Sequence, residues 1–293
     1  MTNEDTDSPS QQTDAQSSRR RFLRTTALGG ILGLAGCLST DSGTEEDAPT
    51  ATMGAIEQVE FAGEHLVLTA TEAFSGTELH VVDPTETVWA KTRTEHTTGK
   101  ARIQLLDVDG YDDDNHYTPG QFRFVFEPRA EEPHTELVDL APDVSILEVR
   151  QRDSGAPGSA GQIAVKMTNR GTAPTWISDI KYEGAPHYSA NGDFSDSDFP
   201  FLSDLEKPTE AIIPPNTVRE YVAQNFPLRF TDRAHDQCSQ IQFTMGISVK
   251  TPIEHSPENR INVKTGGEPI VSSSLDRYVC SDVDLELIGM SDQ

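Results

Sequence analysis

Apolar residues recur at every second position through most of this chain, and no amphipathic helical stretch longer than two turns stands out. Ile241, Phe243, Met245, Ile247 and Val249 alternate with Gln242, Thr244, Gly246, Ser248 and Lys250. Leu66/Leu68/Ala70, Ala101/Ile103/Leu105, Phe122/Phe124/Phe126, Ile163/Val165/Met167 and Val283/Leu285/Leu287 repeat the pattern. A period of two puts one side of an extended segment in a core and the other in solvent, which is the signature of half-buried strands. Turn chemistry separates the runs: Thr118-Pro119-Gly120 precedes the Phe run, and Asn169-Arg170-Gly171-Thr172 precedes Trp176 to Tyr182. The expected fold class is therefore all-β. Its two β-sandwich domains cover 55–128 and 144–289, with a proline-rich, acidic linker over 129–143. Two polar stretches, Arg152 to Gly161 and Ser189 to Pro200, are expected as surface loops of the larger domain.

The N-terminal segment has a different grammar. Ser18-Arg19-Arg20-Arg21-Phe22-Leu23-Arg24 precedes an apolar run from Ala27 to Gly36, and Leu34-Ala35-Gly36 leads directly into Cys37. A bilayer-spanning helix needs ~20 apolar residues, about twice this run, so the segment reads as a signal core and not a permanent span. Ser39 to Thr52 is polar and acidic without large apolar residues, so 38–54 is expected to be a flexible, disordered tether. Ser18 to Arg24, with Arg19, Arg20, Phe22 and Leu23 in place, resembles the signature of twin-arginine export substrates. Leu34 to Cys37 resembles a lipoprotein cleavage box. The resemblance implies a signal over 1–37, export in the folded state, and lipid on Cys37 as the attachment to the extracytoplasmic face of the cell membrane.

The whole chain carries a net charge of −25 and contains seven Lys. Residues 1–36 hold four basic and four acidic side chains, so their removal leaves that charge unchanged. Such a balance keeps a protein hydrated and makes its compact state repel itself, a penalty that molar salt screens over ~3 Å. Acidic, Lys-poor chains of this kind resemble exported proteins of halophilic archaea. The charge argues against a nucleic-acid partner, because no basic stripe is present to neutralise phosphates. It also leaves the lipid on Cys37 as the membrane contact.

The run from Gln162 to Gly184, with its N-x-G-T-x-P turn, resembles the immunoglobulin-like modules of archaeal surface proteins, as does Leu79 to Phe126. That resemblance implies two immunoglobulin-like β-sandwich domains serving adhesion, display or scaffolding, with a surface protein or carbohydrate as partner. It fixes no ligand.

Candidate chemistry is sparse. Cys238 and Cys280 remain once Cys37 is assigned to lipid; a disulfide, two buried thiols and a metal site are the alternatives, and an oxidising compartment favours the first. Asp107, Asp109, Asp112 and Asp114 crowd one turn, where carboxylates could hold Ca²⁺ weakly. Gly110 falls too early for an EF-hand and no Glu closes the loop, which favours a solvated hairpin instead. Asp193, Asp196 and Asp198 form a second acidic loop. Blue copper needs a Cys followed closely by His, whereas Cys238 is followed by Met245 and Cys280 by Met290 with no His between. No metalloprotease, nucleophile-elbow or phosphate-loop motif occurs. The functional expectation is a non-catalytic, lipid-anchored binding or scaffold protein without cofactor, calcium aside. The alternative is an extracytoplasmic hydrolase whose carboxylates lie in loops of the second domain.

Overall fold

A computed structural model describes residues 54–110, 116–129, 132–152, 159–187, 190–194, 198–230, 238–253, 258–271 and 277–288. The signal, the tether and Cys37 lie outside the described residues.

Each apolar alternation becomes a strand. Strand β1 (Ile56–Ala62) turns through Gly63, at φ 61°, into β2 (His65–Ala70), with Ala62 facing His65. A two-residue turn of this hand needs positive φ, which glycine adopts without steric cost. On its other side β2 pairs with β5 (Lys100–Gln104), completing a three-stranded sheet. The partner sheet runs β4 (Val88–Arg93), β3 (Glu78–Val82), β6 (Gly120–Glu127), β7 (His134–Leu140). Phe122, Phe124 and Phe126 are fully buried and share one cluster with Leu79, Val81, Leu66, Leu68 and Ile103.

Strand β7 corrects the expected linker over 129–143. It pairs with β6 from Gly120↔Leu140 to Phe126↔His134 and forms an edge of the sheet. Val138 and Leu140 turn inward while Leu137 and Asp139 face out, so this too is an alternating strand. Pro133 and Pro142 bracket it, and proline is tolerated at strand ends because no ladder donor is lost there. The prolines and acids disguise a short edge strand.

The second half repeats the division into three and four strands. Strands β8 (Val144–Gln151), β9 (Ile163–Asn169) and β13 (Thr217–Val222) form one sheet in the order β13-β9-β8. Strands β11 (Asp179–Glu183), β14 (Gln242–Lys250), β15 (Asn259–Val271) and β16 (Tyr278–Ile288) form the other, in chain order. A short ribbon pairs β10 (Thr175–Trp176) with β12 (Ile212–Ile213). All pairings between these strands are antiparallel, and no α-helix occurs among the described residues. No helix there is long and apolar enough to cross a membrane. On edge strand β16, Asp282, Asp284 and Glu286 point outward, a charge pattern that discourages pairing with another chain.

The turn read from Asn169 to Thr172 fastens β8 to β9. The Asn169 side chain accepts from Asp143 N and Gly171 N and donates to Ala173 O and Ile213 O, all at 2.9–3.0 Å. A Cβ on Gly171 would sit 2.2 Å from Ala141 O, so only glycine lets the two backbones approach. At the opposite end, Cys238 and Cys280 form a disulfide. It lies in a small cluster with Phe230 and Tyr278, whose rings stack at 5.4 Å. Gln151 Nε2 donates to Cys280 O at 3.0 Å and thereby ties β8 to β16 across the two sheets.

Candidate binding surface

The two halves meet at His116 and Tyr117. Tyr117 is fully buried and its hydroxyl donates to Pro174 O at 2.9 Å. His116 stacks on Tyr117 at 4.4 Å, lies 5.3 Å from the Trp176 ring, and places Nε2 3.1 Å from Thr175 Oγ1. Burial pushes the Tyr117 phenol well above its ordinary range. It also lowers His116 to about 4, against opposing effects of the Tyr117 carbonyl and the Asp198 carboxylate. A neutral imidazole is therefore built into the seam between the halves.

Trp176 connects this seam to the surface. It is fully buried and its Nε1 donates to Asp198 O at 2.8 Å. Asp198 also pairs through its carboxylate with Lys250 Nζ at 2.7 Å. Further along, Phe201 N donates to Ser178 O at 2.6 Å, and Leu202 bridges to Ala223. Pro200 and Leu202 turn inward, so Phe199 and Phe201 turn outward, at 42% and 47% exposure. Both phenyl rings are thus partly exposed on a backbone fastened on both sides. Single exposed apolar residues are ordinary on a protein surface, but neighbouring aromatic rings on an anchored segment are what partner-binding surfaces present.

Arg19, Arg20, Phe22, Leu23 and Cys37 lie outside the described residues, as do Asp112, Asp114 and Asp196. Asp107 and Asp109 flank Val108, which is buried and donates its N–H to Glu64 Oε1 at 2.9 Å. Leu106, next to Asp107, pairs with His116 as an isolated antiparallel bridge. Asp193 and Asp198 face Lys181 and Lys250, at 3.6 and 2.7 Å. Sequence reasoning passed over Phe199 and Phe201, which sat inside and beside a stretch read only as a polar loop. Four consecutive apolar residues, Phe199-Pro200-Phe201-Leu202, closing an otherwise polar stretch were the available signal.

A depression of about 330 Å³ lies between Ser203–Leu205, Glu210 and Arg219–Val222. Its carboxylates already have partners. Asp204 pairs with Arg152, Glu220 takes both Arg150 Nε and Nη2 at 3.0 and 2.7 Å, and Glu210 accepts from Glu206 N at 2.9 Å. Among the described residues, one group of three potential metal ligands converges, Glu78, His80 and Glu127. No protein-family model matches this chain, and no curated protein matches it.

Proposed function

We propose that this is an exported protein, tied to the outer face of the membrane by lipid on Cys37, that binds a surface partner without catalysis. Its two halves are read as immunoglobulin-like modules, and its net charge of −25 as adaptation to a salty exterior. The observation carrying the binding reading is the outward pair Phe199 and Phe201, on a segment fixed by Trp176, Ser178 and Ala223. The hydrolase alternative draws less support, because the depression's carboxylates are engaged by arginines or backbone.

Cross-linking on intact cells tests this reading. The wild-type chain and a Phe199→Ala/Phe201→Ala variant are captured and their covalent neighbours compared. Aromatic anchors at interfaces contribute ~2 kcal/mol or more each, so recovery of the specific neighbour should fall by at least ~30-fold. An unchanged set of neighbours would count against the surface.

A further inference from the structure

Glu78 and Glu127 stand directly opposite each other on β3 and β6, on the sheet face turned away from the core. Like charges so placed repel, and the pairing costs stability unless something lies between them. His80, two residues along β3, reaches both. Its Nε2 is 2.9 Å from Glu78 Oε1 and its Nδ1 is 3.5 Å from Glu127 Oε1. One ligand atom from each residue falls within 4.8 Å of the others. A neutral imidazole carries a single N–H, and an ionised carboxylate only accepts. A neutral ring can therefore donate to only one of the two carboxylates, and its other nitrogen keeps a lone pair that a metal ion can take.

We propose that Glu78, His80 and Glu127 form a surface site for a borderline divalent metal ion, represented by Zn²⁺. One imidazole nitrogen and two carboxylate oxygens suit Zn²⁺ better than Ca²⁺, which takes six to eight oxygens. The Glu78 and Glu127 side chains are 47% and 45% exposed, so water can complete the coordination. Arg93 faces Glu78 and Lys91 faces His80 from β4, and these two cations keep the affinity modest. The site is independent of the Phe199–Phe201 surface.

Calorimetric titration of the full chain with Zn²⁺, in chelator-stripped buffer, tests the site against His80→Gln and Glu127→Gln. Thermal melts without metal check that each variant folds. The expected result is a component of one equivalent in the wild type whose affinity drops by ~10-fold or more in each variant. Co²⁺ should give a four-coordinate visible spectrum that His80→Gln abolishes. If His80→Gln does not fold, the Glu127→Gln titration decides alone. Equal zinc binding by wild type and folded variants, or none by the wild type, would overturn the site. Ca²⁺ competing as well as Zn²⁺ would overturn the ligand class.

Discussion

Removing the Cys238–Cys280 bridge should cost the fold about 4 kcal/mol, the loop-closure entropy released to the unfolded chain by a 42-residue separation. The closed loop contains β14 and β15, the inner strands of their sheet, so the unfolded chain gains most of its freedom where native pairing is densest. Cys280 also accepts the Gln151 hydrogen bond that links β8 to β16, and Phe230 stacks on Tyr278 beside it. Loosening this end should therefore affect both sheets of the second half. Denaturant unfolding of the wild type with and without reductant, beside Cys238→Ala/Cys280→Ala, provides the check. Reduced wild type and the double variant should share a lowered midpoint, and reductant should leave the variant unmoved. A wild-type midpoint indifferent to reductant would contradict the expectation.

Acid should weaken the seam between the halves by a comparable amount. The unfolded chain protonates His116 near pH 6.5, whereas the folded chain holds it neutral until about 4. Between these values the unfolded state binds the extra proton, so stability is intact above about 6.5 and drains away as pH falls toward 4. The full loss is about 3 kcal/mol at 1.36 kcal/mol per unit. It is concentrated where His116 meets Thr175 and Trp176 and where Tyr117 meets Pro174. His65 and His187 are also lowered by burial and act in the same direction, so the seam's share must be isolated. Unfolding midpoints followed from pH 7.5 to 4 should fall more steeply in the wild type than in His116→Gln. Parallel profiles would show that His116 does not set the acid sensitivity of the fold.

Much of the architecture was legible because period-two alternation needs no knowledge of partners. Leu66 and Leu68, the three Phe of β6, and Met245 to Val249 all bury the side that the pattern assigns. What escaped depends on contacts distant in sequence. Strand β7 carries the same alternation, but Pro133, Pro142 and the acids around them resemble a linker until β6 is beside it. Glu78 and His80 lie two apart on one strand face, a visible clue. Glu127 joins them only through the β3–β6 register, which no local pattern encodes. His116 likewise looked like one isolated histidine among eight, since its partners Thr175 and Trp176 come some 60 residues later. The aromatic pair was hidden by composition: Phe199 and Phe201 are spaced by a proline at the close of an acidic loop.

Partner binding at the cell surface depends first on location, and intact mass spectrometry of the membrane fraction tests that directly. A chain beginning at a diacylglyceryl-modified Cys37, with Cys37→Ser released into the medium, is the predicted result. A full-length chain in the cytosol, starting at Met1 and bearing no lipid, would contradict it.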